Sequence, residues 1–451
     1  VSYLRLTTAC LLLLLCVAPA AAQGEGASAG VARAAGLIRE GKLDEAERQL
    51  AAVLKAAPAE AVALNLLGAI RAQQGRLDEA EALFTRAARA DARFVGPHQN
   101  LAYLYHLRNQ PEKTAAALRE VLRREPANAD AAHKLARLLL TLGRLEECIR
   151  FVEEARGRGQ ASPAMLSMLG DARLAQGELK GAEEAYGRAL EGGGDAAALL
   201  GLAQVSLRRG DAPGAAAHLA RAKVAAGDSP DLLYGYALVA LRAGFDEEAR
   251  GALARAVALR PGDERLLFLS GVSWLRGKKA DLSEAEQSFR RFLELRPASA
   301  QGQLYLGYVL LKQKRSAEAR PLLEASVKAD PAAPEGFYYL GLIAQDENDE
   351  ARAVGLLEDV TRRFPDFPHA HVALGVSYLR LKDYERARRS LEAGVKLDPA
   401  DQKAHYNLAL LYARLKEPQR AREEMRIVEE LRAKSGASPG EEELLAPAPR
   451  P

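Results

Sequence analysis

An all-helical solenoid of about a dozen helix pairs is the fold class that this 451-residue sequence predicts, and three observations predict it. The first is composition. Ala, Leu, Arg and Glu, all strong helix formers, dominate from end to end, and aromatic residues make up only 6%. The second is a repeat: similar segments return every 34 residues, the mark of stacked supersecondary units. The third is the pattern inside each period, where apolar residues recur three and four apart in two runs. Such spacing makes two amphipathic helices per unit.

Aligned on the small residue that opens the second-helix core, the units fall at Ala46, Ala80, Thr114, Cys148, Ala182, Ala215, Ala249, Ala285, Ala319, Ala353, Ala387 and Ala421. Most gaps are 34, one is 33 and one is 36. Proline closes many units at one phase, at Pro58, Pro126, Pro261, Pro297, Pro331, Pro365 and Pro399, where it ends a second helix. Gly68, Gly170, Gly271, Gly307, Gly341 and Gly375 stand inside first helices. Glycine there costs up to about 1 kcal/mol relative to alanine. Borne at a fixed phase, that cost implies a helix–helix approach too close for a larger side chain.

Taken in chain order, residues 1–22 read as a cleaved export signal. Arg5 gives a positive start, Ala9 to Ala18 is apolar, Pro19 breaks the helix, and Ala20-Ala21-Ala22 places cleavage before Gln23. The apolar stretch is too short for a membrane span, so none is expected after cleavage. Lipid attachment at Cys16 is not expected either, because Leu15 precedes it where a small residue is needed. Residues 23–26 form a linker, 27–435 the repeat array, and 436–451 a Pro/Gly-rich acidic tail expected to be disordered. Within that tail Glu441 to Leu445 reads as a spacer, with a short recognition segment as its rival. Three departures inside the array mark expected bends or caps: the Gly- and Ala-rich helix before Gly41, the run Gly192-Gly193-Gly194, and two extra residues near Lys278-Lys279.

A small residue, Tyr or Leu, Ala, Phe or Leu, and Pro at these offsets resemble the tetratricopeptide repeat (TPR) family. Gly375, Tyr378, Ala387, Leu391 and Pro399 form one good copy, and Gly307, Ala319, Leu323 and Pro331 another. The resemblance spans residues 27–435 and implies a right-handed superhelix of about twelve helix pairs. It also implies a concave groove lined by first helices, where a protein or peptide partner binds.

Other functions find little support. The formal charge of +3, from 63 basic and 60 acidic interspersed residues, lacks the stripe of a nucleic-acid binder. No phosphate loop, zinc-protease motif or nucleophile elbow is present, so no catalytic residues and no cofactor are expected. The seven histidines are scattered. His98, His371 and His405 share one repeat phase suited to packing or capping, so no metal site is expected. Cys148 sits in the small-residue slot and reads as a buried core thiol.

The groove should be lined by the fifth and ninth residues of each unit, an i, i+4 pair on one face. The N-terminal pairs are polar: Asn65 and Ala69, Gln99 and Tyr103, His133 and Arg137, Ser167 and Asp171, Leu200 and Gln204. The C-terminal pairs are apolar and partly aromatic: Tyr234 and Leu238, Phe268 and Val272, Leu304 and Tyr308, Tyr338 and Leu342, Val372 and Val376, Tyr406 and Leu410. These rings are expected either to face solvent as a binding stripe or to pack neighbouring first helices together. The resulting expectation is a non-catalytic adaptor of the bacterial envelope, periplasmic or secreted, holding a polypeptide in its groove. Rival readings are an accessory subunit of a polysaccharide synthesis or export complex and a periplasmic chaperone; homo-oligomerisation is left open.

Overall fold

The computed structural model describes residues 25–193, 196–277 and 280–435, which contain 24 helices and no strand. The signal segment 1–22 and the tail 436–451 lie outside the described residues. The helices alternate as first and second members of pairs, and the chain divides after Ala225 into two compact bodies of six pairs each. In the N-terminal body the pairs are α1 (Glu25–Arg39) with α2 (Leu43–Ala56), α3 (Ala61–Gln73) with α4 (Leu77–Ala90), and α5 (Gly96–Leu107) with α6 (Pro111–Arg124). Then come α7 (Ala129–Thr141) with α8 (Leu145–Gly157), α9 (Pro163–Ala175) with α10 (Leu179–Glu191), and α11 (Ala196–Arg208) with α12 (Ala212–Ala226). The C-terminal body has α13 (Pro230–Arg242) with α14 (Asp246–Leu259), α15 (Glu264–Trp274) with α16 (Leu282–Leu295), and α17 (Ala300–Lys312) with α18 (Ser316–Ala329). It ends with α19 (Pro334–Asp346) and α20 (Glu350–Arg363), α21 (Pro368–Arg380) and α22 (Tyr384–Leu397), and α23 (Gln402–Arg414) and α24 (Pro418–Ser435). Helix α1 begins at Glu25, two residues inside the stretch expected to be linker.

The glycine phase has the steric cause its cost implied. A Cβ built on Gly68 would lie 2.7 Å from the Phe84 ring, and one on Gly170 2.5 Å from Tyr186. Gly307 meets Leu323 at 2.7 Å, Gly341 meets Leu357 at 2.8 Å, and Gly375 meets Leu391 at 2.5 Å in the same way. Each contact joins the middle of a first helix to its own second helix. Four residues earlier on that second helix, the small slot lies against the partner: Ala46, Ala80, Cys148, Ala182, Ala249 and Ala319 are fully buried. Burial pushes the Cys148 thiol up to about 11, and it donates a weak bond to the Ala136 carbonyl at 3.6 Å.

Every pair turns through a left-handed residue. Seven of these are glycines, Gly41, Gly75, Gly143, Gly177, Gly210, Gly244 and Gly277, and five are Asn109, Lys314, Asn348, Lys382 and Lys416. The residue after the turn donates its N–H back across it, as Lys42 does to Leu37 at 2.9 Å and Asp383 to Tyr378 at 2.9 Å. This is the Schellman closure of a helix C-terminus. The pair α15/α16, with its two extra residues, breaks the rule. Helix α15 is cut to 11 residues, and the return bond runs from Asp281 to Trp274 instead. Arg250 of α14 reaches in to donate to the carbonyls of Ser273 (3.2 Å) and Arg276 (3.1 Å), its guanidinium 5.0 Å from the Trp274 ring centre. The expected irregularity at this point is thus a cap supplied by the preceding pair.

Between pairs, a proline-turn carbonyl needs a donor, and the chain supplies one in two ways. Gln303, His371 and His405 each stand six residues after a proline and donate to its carbonyl at 2.9 to 3.0 Å. Elsewhere an arginine of a second helix does the same, as Arg86 does to Pro58. His405 is also 2.6 Å from Glu424 through Nδ1, which ties α24 to α23. The shared histidine phase is therefore a capping position at His371 and His405. His98, whose turn has no proline, leaves Nε2 unbonded.

Successive first helices touch one another, α7 with α9, α9 with α11, α19 with α21 and α21 with α23 among them. No comparable contact joins second helices among the described residues. The first helices are therefore the inner layer of each body.

Candidate functional site

The fifth and ninth positions of the first helices occupy this inner layer, but they do not all face solvent. Asn65 is buried, and its side-chain carbonyl accepts from Asn100 of the next first helix at 2.9 Å. Phe268 meets Tyr305 with ring centres 5.1 Å apart. Tyr308 meets Tyr339 at 5.7 Å, and Tyr338 meets Phe367 at 5.7 Å. These positions form the seam between neighbouring first helices.

A solvent-facing aromatic stripe is therefore corrected at its centre. Tyr308 is 4% exposed and Tyr338 is 6% exposed, and Leu304, Leu342 and Val372 are buried beside them in one core cluster. The physical reason is ring size: large side chains at the seam fill the space between first helices and close the face over themselves. Tyr234, Leu238, Phe268, Val272 and Val376 are half-buried, and the Arg265 guanidinium lies 5.4 Å from the Tyr234 ring centre. Only at the last first helix do the positions open, with Tyr406 46% exposed and Leu410 41% exposed.

The N-terminal body is different. Gln99, Tyr103, His133 and Gln204 are half-buried, Arg137 and Asp171 are exposed, and Ser167, Ala69 and Leu200 are buried. Arg137 bonds His133 through Nη2 at 2.7 Å, one turn away. Desolvation, with the Arg137 charge behind it, lowers the His133 pKa from its ordinary 6.5. Asp171 accepts from the Tyr186 hydroxyl at 2.6 Å. That tyrosine is fully buried, threaded between Gly170 and Gly201, where added Cβ atoms would approach its ring to 2.5 and 2.2 Å. Asp171 keeps solvent access, yet the crowded inner wall removes enough water to raise its carboxyl above the usual 3.8. The Tyr186 bond opposes that rise. Sequence reasoning missed this tyrosine–aspartate pair. Its one signal was a tyrosine at the slot that holds Phe84 and Phe289, flanked by a glycine out of phase.

No group of three His, Cys, Asp or Glu side chains able to hold a metal occurs among the described residues. No described helix is long and apolar enough to cross a membrane. An open cleft of about 350 Å³ lies between α20, α21 and α22, lined by Glu358, Arg362, Tyr378, Arg386 and Arg389. Its charges are largely paired, Arg362 with Asp359 and Arg386 with Asp383.

Comparison with known proteins agrees with the architecture. Two family models described as tetratricopeptide repeat match residues 31–93, 167–230, 273–334 and 374–438, and residues 105–172 and 342–401. No curated protein sequence matches. Among solved structures, the APC/C hetero-tetramer Cut9-Hcn1 shares 13% identity over 84% of this chain and 95% of its own, with a TM-score of 0.42. Yeast Tom70 shares 14% over 91% and 96%, with a TM-score of 0.40. A tetratricopeptide repeat protein from Parabacteroides merdae shares 19% over 55% and 99%, with a TM-score of 0.42. Likeness at that level carries no functional argument, whereas the first family model alone covers more than half of the chain. Repeat spacing, glycine contacts and family match agree, and the chain belongs to the tetratricopeptide repeat family.

Proposed function

We propose that this protein is a non-catalytic scaffold of the bacterial cell envelope that holds a polypeptide partner along the inner face of its N-terminal body. The observation that carries the reading is the contrast in accessibility. Tyr103, His133, Arg137 and Asp171 follow one another on three successive first helices with solvent access, whereas Leu304, Tyr308, Tyr338, Leu342 and Val372 at equivalent positions in the C-terminal body are buried. A row with an aromatic ring, a cation and a carboxylate suits an extended polypeptide, which offers carbonyls, amides and side chains of both signs. Family membership supports a scaffold as the general role.

The test is affinity capture from envelope extract with intact protein and with a Tyr103→Ala/Arg137→Ala variant. One stoichiometric partner, retained by the first and lost by the second without a change in melting temperature, is expected. Recovery of a polysaccharide synthase complex, or of a heterogeneous set of unfolded clients, would replace this reading with an accessory subunit or a chaperone. Envelope location is proposed from the export-type segment 1–22, and an intact mass beginning at Gln23 is its expected signature.

A further inference from the structure

Asp171 stands on the inner face of the N-terminal body with a carboxylate that its own chain leaves half used. Oδ1 accepts from the Tyr186 hydroxyl at 2.6 Å, its one hydrogen bond among the described residues. The neighbouring arginines are engaged elsewhere. Arg173 is held by Glu153 at 2.7 Å and by the Gly181 carbonyl at 3.2 Å, and Arg208 of α11 by the Leu174 carbonyl at 2.6 Å. Arg137, one repeat away on α7, bonds His133. From this we infer that Asp171 anchors a lysine or arginine side chain of the polypeptide that lies along this face. The inference rests on the proposed function and names the chemistry of the partner at one point of the groove.

Three features separate this carboxylate from an ordinary surface charge. It is held in place: Tyr186 is fully buried between Gly170 and Gly201, and its hydroxyl fixes Asp171 from behind. Little side-chain freedom is then left to lose on binding. It is accessible, since Asp171 is exposed and Oδ2 remains for a donor. It is also poorly hydrated, because the crowded wall that raises its pKa has already removed part of its water. An incoming cation displaces less water and makes a charge-assisted bond, roughly twice as strong as a neutral one. The neighbouring unit decides which kind of polypeptide fits. Helices α7 and α9 touch, so their axes lie about 8–10 Å apart, a distance that an extended chain spans in about three residues. Arg137 repels a second basic side chain there and attracts an acidic one. The segment is therefore of mixed charge, with a basic and an acidic residue about three positions apart. A polybasic run does not fit.

The experiment incubates the full chain with a pool of synthetic dodecapeptides of random sequence and sequences the peptides retained. It is repeated with Asp171→Asn, which can still accept from Tyr186, and with Asp171→Lys, the melting temperature of each confirming that it folds. Peptides with a basic residue about three positions from an acidic one are expected to be enriched about tenfold over the pool on the unaltered chain. Asp171→Asn should erase the basic preference and keep the acidic one, and Asp171→Lys should turn the first preference acidic. The selection by the unaltered chain is read without any substitution, so it stands even where a variant fails to fold. Retained peptides with no basic preference, with a preference for polybasic runs, or with a basic preference that survives Asp171→Asn overturn the inference and leave the groove reading standing. Retention of no peptide by any of the three chains overturns both.

Discussion

One helical turn beyond the seam position, the N-terminal body carries Tyr103, Arg137 and Asp171, and the C-terminal body carries Val272, Tyr308 and Leu342. The backbone framework is shared: pair lengths, small slots and turns agree between the bodies. What differs is volume. Medium and polar side chains at the seam leave solvent access to their neighbours. Tyrosine and leucine interlock instead, so that Tyr305, Tyr308, Tyr338 and Tyr339 belong to a single core. An apolar inner face in a repeat protein is therefore not by itself a binding stripe. Its accessibility depends on whether the next helix can close over it.

The comparison is broken most directly by truncating its aromatic side. Tyr338→Ala is expected to destabilise the C-terminal body by about 3–5 kcal/mol, since the ring is buried and a cavity remains. Arg137→Ala in the N-terminal body should stay within about 0.5 kcal/mol. Chemical denaturation followed by helix signal measures both, and equal effects would erase the distinction. Gly341→Leu tests the framework common to both bodies. Its added side chain meets Leu357 and should cost roughly 1–3 kcal/mol, with lost amide protection confined to α19, α20 and their neighbours.

Acid should separate the bodies more gently. His98 and His133 have pKa values lowered from 6.5, mainly by desolvation and then by Arg124 and Arg137 respectively. His218 is lowered by desolvation and by Arg221. A lowered value means that the unfolded chain binds the proton more readily. The stability these rings contribute is full above 6.5 and falls as pH drops through and below it. All three lie in the N-terminal body. Its amide protection, corrected for intrinsic exchange, should decline first between pH 7 and 5.5, and an earlier loss in the C-terminal body would contradict this. The smallest effect concerns turns. Lys314→Gly, Lys382→Gly and Lys416→Gly each relieve a left-handed lysine and should add about 1 kcal/mol, read as a rise in melting temperature.

The fold was legible because its signals repeat. Gly68, Gly170, Gly307, Gly341 and Gly375 announce a contact that recurs, and one reading of the sequence explains them all. The site was less legible, because exposure at a seam depends on two helices at once. Nothing in Tyr338 alone says that Phe367 will close over it. Periodicity placed Tyr338 and Tyr406 at equivalent points, yet one is sealed and the other open. Arg250 was invisible for another reason. Its partners are backbone carbonyls released by an insertion, and no residue pattern records those.

That arginine has a consequence for how the array comes apart. In most pairs a first helix is closed by its own turn, so a pair can open as a hairpin. Helix α15 is closed by a donor on α14, and Arg250 is buried with the carbonyls of Ser273 and Arg276 as its acceptors. Pulling α15 away would strand that guanidinium in a dry site, which is far more costly than losing a surface bond. Helices α13 to α16 are therefore expected to open together.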